Sequence, residues 1–192
     1  GLSSKDTKPC DIKAVYDMLS SNKKINGFTI SINDDVTHLS LKTPDFKIPS
    51  PNYEMLIFGY GSDGMVSASK DIMKITGTGS NAFVQGYFEY DSKKSGGVTI
   101  SHLRYDNKNI NKPYYVTNPE IIVVTKDIYF RMFDIINNIK ENGILLINTI
   151  KNESVLKKLL PSKVKNIIYN KKIKVYYIDA ENIAANNKIN GK

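Results

Sequence analysis

The sequence predicts an α/β protein: a three-layer α/β/α domain built on a mostly parallel central sheet, preceded by an extended N-terminal arm. Three observations lead there. From Tyr53 onward short apolar runs alternate with helix-like runs, the pattern of strands joined by crossover helices. The first apolar run, "YEMLIFGY", ends in a glycine-rich turn that opens a helix-like stretch. Before it, "NDDVTHLSLKTPDFKIPSP" sets prolines among acidic and hydroxyl residues, which reads as an arm or linker. Residues 1–52 are therefore assigned to a helix, a strand and the arm, and residues 53–192 to the main domain.

Each element has its own reason. In "DIKAVYDMLS", residues Ile12, Val15, Met18 and Leu19 recur at helical spacing, and "FTISI" alternates like a strand. "YEMLIFGY" is a buried-type strand, and "GMVSASKDIMKITG" is a helix closed by Gly77. "NAFVQGYFEY" and "GGVTISHLRY" are strands separated by the polar loop Asp91 to Gly96. "EIIVVT" is a strand, and "KDIYFRMFDIINNIKENG" is an amphipathic helix closed by Gly143. "ILLINT" follows as a strand, then "ESVLKKLLPSKVKNIIYN", helical but broken at Pro161, the strand "KVYYID" and a last helix from Ala180.

The chain has 192 residues, 41% of them hydrophobic, enough for one sizeable core. Its net charge of +8 admits an anionic partner, yet much of the excess lies in solvated stretches such as Lys157–Lys158 and Lys171–Lys172. The single cysteine, Cys10, excludes an internal disulfide and a four-cysteine cluster. Apolar runs such as Ile121–Val124 fall far short of the ~20 residues of a membrane helix, and no signal-peptide pattern opens the chain. The expectation is a cytoplasmic protein, a mitochondrion-like organelle also being compatible, with no membrane and no nucleic acid among its partners.

The chemistry concentrates in two loops. Gly59-x-Gly61-x-x-Gly64 has the spacing of a dinucleotide-binding turn, at the strand-to-helix position where α/β folds collect phosphates. Gly59 and Gly61 would let the backbone turn tightly toward an anion, and Gly64 would allow close packing of helix on strand. Ser62 or Asp63 could cap the helix, and a capped tight turn is the plainer account of the same residues. A dinucleotide fingerprint also needs an acid about 20 residues on; Glu89 and Asp91 arrive late. The second loop, Asp91-Ser92-Lys93-Lys94-Ser95-Gly96-Gly97, mixes cations, hydroxyls and glycines in a way that suits phosphate or a solvated hairpin tip. His102 and Arg104 share a strand face, where a hydrogen-bonded structural histidine is the commoner case. His38 and His102 have no metal-ligand spacing, so no metal site and no catalytic residue are assigned.

Four segments carry a resemblance: "FTISINDDVTHLSL", "GYGSDGMVSASK", "QGYFEYDSKKSGGVTISHLRY" and "LLPSKVKNIIYNKKIKVYYIDAENIA". Together, in order and over nearly the whole chain, they resemble the third domain of the single-chain pyruvate:ferredoxin (flavodoxin) oxidoreductases. That domain is equivalent to the gamma subunit of multi-subunit 2-oxoacid:acceptor oxidoreductases. The resemblance implies a piece of an enzyme that oxidatively decarboxylates pyruvate with coenzyme A, releasing acetyl-CoA, carbon dioxide and low-potential electrons. It implies that Gly61, Ser62, Asp63, Gly64, Met65 and Lys93 contact coenzyme A. Met65 departs from the smaller polar residue usual there, which touches the side-chain contact rather than the backbone one. Thiamine diphosphate and [4Fe-4S] clusters belong to other domains, so the isolated segment is expected to be inactive. The implied partners are those domains, a second copy in a homodimer, and ferredoxin, flavodoxin or a fused NADPH reductase module as electron acceptor. In the ungapped register "INGK" stops short of an asparagine the family uses, so Asn190 is not its counterpart and the domain is expected to be C-terminally incomplete. Two other readings stand beside this one: a nicotinamide-dependent oxidoreductase on the glycine turn, and a noncatalytic assembly domain docking through Phe28, Ile30 and Ile32 exposed on the arm.

Overall fold

Six strands share one sheet: β1 (Tyr53–Tyr60), β2 (Phe83–Tyr90), β3 (Val98–Asp106), β4 (Ile121–Val124), β5 (Ile144–Asn148) and β6 (Lys174–Ile178), in the order β2-β3-β1-β4-β5-β6. The computed structural model describes residues 7–49, 53–91 and 97–189. These form two compact units, one within Gly1–Pro51 together with Lys112–Tyr115, the other comprising Asn52–Asn111 and Val116–Lys192. In the second unit β1, β4, β5 and β6 pair in parallel, while β3 runs against both β1 and β2. Only β3 is reversed, because the link between β2 and β3 is too short for a crossover. The fold is thus α/β with a mostly parallel sheet.

Side chains alternate across the sheet and find different covers. Helix α2 (Met65–Gly79) packs Met65, Ile72 and Met73 onto Ile57, Leu103 and Tyr105. On the opposite face Leu156 of α4 (Glu153–Leu159), then Leu160, and Val164 of α5 (Ser162–Asn170) meet Ile122, Val124, Leu145 and Ile147. Pro161 separates α4 from α5 and stands at the N-cap of α5, as its missing N–H and fixed φ favour. The other helices among the described residues are α1 (Pro9–Ser20), α3 (Tyr129–Met132) and α6 (Ala180–Asn186). No helix among the described residues is long and apolar enough to cross a membrane.

The structure differs from the sequence expectation at four places. The predicted helix over 126–143 shrinks to the four residues of α3, after which Phe133 is extended (φ −133°, ψ 153°). Beyond it the carbonyls of Asn137 and Ile139 each accept from Lys171 Nζ at 2.7 Å, and Lys140 N–H donates to the Pro119 carbonyl, so tertiary partners replace the helical ladder. Gly77 does not close α2, which runs on to Gly79; one helical glycine costs only about 1 kcal/mol. "FTISI" makes one isolated bridge, Thr29 with Ser40, and no strand. In the arm, Ile30 is buried and Phe28 and Ile32 are half-buried, whereas Ile12, Tyr16, Leu19 and Val36 are exposed. The stripe that α1 buries is Asp11, Ala14 and Met18, and Asp11 Oδ2 accepts the Lys8 N–H at 2.8 Å.

Candidate functional site

The glycine turn leaves the carboxyl end of β1, beside β4. The chain departs from β1 toward β3 and β2 on one side and continues from β4 toward β6 on the other, so the turn lies where the strand order reverses. Ligands of open α/β sheets collect at that crevice.

Three backbone features set its shape. Asp63 N–H donates to the Tyr60 carbonyl at 3.0 Å, closing a tight turn with Ser62 at φ +73°. Gly64, the N-cap of α2, has φ +82° with open space where a Cβ would stand, so its requirement is conformational. Gly59 has the steric requirement: a Cβ there would come within 2.8 Å of Met65 Cβ and 2.9 Å of Thr99 Oγ1. The roles expected of these two glycines are therefore exchanged. Gly59 admits the helix against the sheet, and Gly64 makes the turn.

Asp63 occupies the inside of the turn. Its Oδ2 accepts the Tyr60 N–H at 2.6 Å, its Oδ1 accepts the Met65 N–H at 2.9 Å, and Thr125 Oγ1 lies 3.5 Å from Oδ2. The carboxylate thus sits on the first free amide of α2, where the helix dipole favours negative charge. Nearby, the buried Tyr129 hydroxyl donates to the Gly59 carbonyl at 3.3 Å. Burial, with the charge of Asp63 and the neighbouring Tyr60, pushes that hydroxyl up to about 12. Lys126 Nζ lies 4.5 Å from the Tyr60 ring centre, a cation–π contact on the β4 side.

On the other flank the turn meets the β2–β3 hairpin, where Gly61 N–H donates to the Gly97 carbonyl at 2.9 Å. Between them opens a cleft of about 440 Å³. Gly61, Ser62, Asp63 and Gly64 line it from the turn, Val66 and Ser67 from α2, and Tyr90, Asp91, Gly97 and Thr99 from the hairpin. Gly61, Asp63 and Met65 use their amides internally; those of Ser62, Gly64, Val66 and Ser67 donate to no protein acceptor among the described residues. Met65 is not in the lining, because its side chain packs onto the Ile57–Leu103 cluster. Lys93 lies outside the described residues, as does Asn190. Tyr90, 61% exposed at the cleft wall, was not singled out in the sequence, since nothing in a strand pattern marks which aromatic ends beside a helix terminus.

His102 and Arg104 belong elsewhere, on the sheet face opposite α2. His102 Nδ1 accepts the Val116 N–H at 3.1 Å, and Nε2 stands 3.4 Å from Glu89 Oε2. Burial, then the charge of Arg104, depresses the imidazole to about 4, so the ring is neutral at ordinary pH. Arg104, fully buried, donates Nε to Glu54 Oε1 at 2.7 Å and Nη1 to Gln85 Oε1 at 3.2 Å across three adjacent strands. Glu89 faces His102 rather than the cleft, which removes one candidate ribose-gripping acid from the glycine turn; Asp91 remains at the cleft wall.

A family model for Pyruvate ferredoxin/flavodoxin oxidoreductase matches residues 54–191. The pyruvate:ferredoxin oxidoreductase of Moorella thermoacetica is 41% identical over 186 residues, spanning 96% of this chain and 16% of its own. The probable pyruvate-flavodoxin oxidoreductase of Escherichia coli is 38% identical over 185 residues, again 16% of its length. The NADP(+) pyruvate dehydrogenase of Cryptosporidium parvum is 40% identical over 190 residues, 10% of its length. This chain therefore spans only about a sixth of such relatives, or less. Among solved structures, a pyruvate oxidoreductase subunit from Thermotoga maritima has the same fold, with a TM-score of 0.55 and 23% identity over 73% of this chain and 68% of that one.

Proposed function

The chain belongs to the pyruvate ferredoxin/flavodoxin oxidoreductase family, and we propose that it is the coenzyme A-binding segment of a longer, multi-domain pyruvate oxidoreductase. The observation that carries this reading is the cleft between the glycine turn and the hairpin, with the amides of Ser62, Gly64, Val66 and Ser67 unspent beside it. Its volume falls in the ~300–1,000 Å³ range of ligand sites. Amides at a helix N-terminus favour phosphate, and coenzyme A carries a pyrophosphate and an adenosine phosphate. In this reading Gly61, Ser62, Asp63 and Gly64 form one wall, with Asp63 shaping the turn from within. Met65 anchors the start of α2, and Lys93, in the sequence between β2 and β3, would supply a cation.

The whole polypeptide would oxidise pyruvate to acetyl-CoA and carbon dioxide. Its thiamine diphosphate and iron–sulfur clusters would sit in other domains, and its electron acceptor would be chosen there. This segment's task is to hold and orient the thiol-bearing substrate, and alone it would turn nothing over.

An amide chemical-shift titration of the chain with coenzyme A and, separately, with NADP(+) tests the binding. Saturable shifts at Ser62, Gly64 and Ser67 with coenzyme A support the site. Shifts with neither ligand remove it, and equal shifts with both reduce it to a general adenosine-phosphate clamp. In the full-length enzyme, Lys93→Ala should raise the KM for coenzyme A roughly ten- to a hundredfold, the effect of losing about 1.5–3 kcal/mol of charge-assisted hydrogen bonding. An unchanged KM for coenzyme A would release Lys93 from this role.

A further inference from the structure

We infer that the face of β4–β6 turned away from α4 and α5 is a docking surface for one amphipathic helix supplied by another part of the same polypeptide. The residues there are Ile121, Val123, Ile144, Leu146, Tyr176 and Ile178, alternating with those packed under α4 and α5. Of these only Val123 packs into the cluster beneath α2. Tyr176 is 53% exposed and Ile178 38% exposed. Parallel strands are ordinarily covered on both faces. Within this unit α4 and α5 cover one face. On the other, Ile121, Val123, Ile144 and Leu146 are half-buried while Tyr176 and Ile178 are exposed, with no described helix of the unit packed across all three strands.

The topology says why. Both connections, β4 to β5 and β5 to β6, advance in the same direction along the sheet. Right-handed crossovers then place both intervening helices on a single face. On the other face α2 serves β1, β2 and β3. The chain nevertheless turns toward the uncovered side as it leaves β6. Ala180 N–H donates to Asn148 Oδ1 at 3.0 Å, and Asn148 shares the face of Leu146. Helix α6, seven residues long, buries none of its side chains and leaves Ile183 51% exposed, so it does not form the missing layer.

Dimensions favour one helix. Three strands ~4.8 Å apart make a strip ~10 Å wide, the diameter of a single α-helix with its side chains. Lys174, exposed at the amino end of β6 on this same face, calls for an acidic residue at that end of the helix. The relatives supply the source, since 186 aligned residues make up only 16% of the Moorella thermoacetica protein. The inference rests on this segment working inside a longer polypeptide, but not on coenzyme A binding, so the two can fail separately.

Hydroxyl-radical footprinting reads the surface directly. Tyr176 and Tyr177 lie on opposite faces of β6 at 53% and 47% exposure, and each is an internal control for the other. In the 192-residue chain both should oxidise at comparable rates. In the full-length polypeptide Tyr176 should be protected at least fivefold relative to Tyr177, and Ile178→Glu should restore its reactivity. Equal oxidation of Tyr176 in the two forms overturns the inference. So does protection of Tyr176 in the short chain as a dimer that Ile178→Glu dissociates, because the occupant would then be a second copy. Protection that coenzyme A titration leaves untouched separates this surface from the cleft.

Discussion

The two halves of the sheet are held by different chemistry. Under β4 and β5 the contacts are apolar and mainly aliphatic: Ile122, Val124, Leu145 and Ile147 are fully buried among isoleucines, leucines and valines, with Phe58, Tyr129 and Phe130. Across β2, β3 and β1 the same face carries Gln85, Arg104 and Glu54 in register, with His102 two residues along. An aliphatic layer tolerates sliding and repacking. A buried guanidinium with two named acceptors tolerates one register, and the hairpin that bears the cleft wall is thereby fixed against β1. The half that positions the cleft is the half specified by hydrogen bonds.

Arg104→Ala breaks that contrast most severely. It strands Glu54, 4% exposed, without its cation, and should cost about 3–5 kcal/mol in urea unfolding. Leu145→Ala in the aliphatic half should cost about 2–5 kcal/mol through the cavity it leaves. The two are told apart by repair. Replacing Glu54 and Arg104 together by Leu and Met should return most of the stability while losing the cleft, whereas no partner change rescues Leu145→Ala.

Acid should act on the polar half. The folded His102 has its pKa depressed to about 4 from 6.5. Above pH 6.5 neither state is protonated and the group contributes nothing to pH dependence. Between pH 6.5 and 4 the unfolded chain takes up the proton first, so stability falls as pH falls, by up to about 3 kcal/mol. His102→Gln should flatten that part of the stability curve, and a slope unchanged by the substitution would assign the acid sensitivity to other groups.

Smaller effects resolve the turn itself. Gly59→Ala drives a methyl group into Met65 and Thr99 and should cost about 1–3 kcal/mol, displacing α2 from the sheet. Gly64→Ala meets no atom and should cost only the left-handed conformation, about 1–2 kcal/mol. A Gly59→Ala chain that keeps α2 seated on the sheet, or a Gly64→Ala chain that displaces it, would contradict the division of labour between the two glycines. Smallest of all, Ser62→Gly should leave the structure intact and raise stability by at most about 1 kcal/mol, since a non-glycine residue now holds φ +73°.

Much of this was legible in the chain. The strands of the sheet were visible because buried parallel strands are short apolar runs closed by glycine, asparagine or proline, as "EIIVVT" and "ILLINT" are. The glycine turn was visible because its spacing reports backbone geometry directly. Which glycine does what was not, because it depends on where the Cβ of Met65 falls after α2 docks. Residues 133–142 were misread for a related reason. Their isoleucines have helical spacing, but their carbonyls are claimed by Lys171, more than thirty positions away in sequence. Asp63 looked like an obstacle to an anion because its charge can be read from the sequence and its two amide partners cannot.

The internal fastening of Asp63 bears on kinetics. A turn clasped on both sides by its own carboxylate is assembled before any ligand arrives. On the proposed reading this wall of the cleft would need no rearrangement, and the association rate would be set by diffusive encounter and by the attraction between a basic protein and an anionic ligand. Discrimination between one phosphorylated ligand and another would reside in how long each stays.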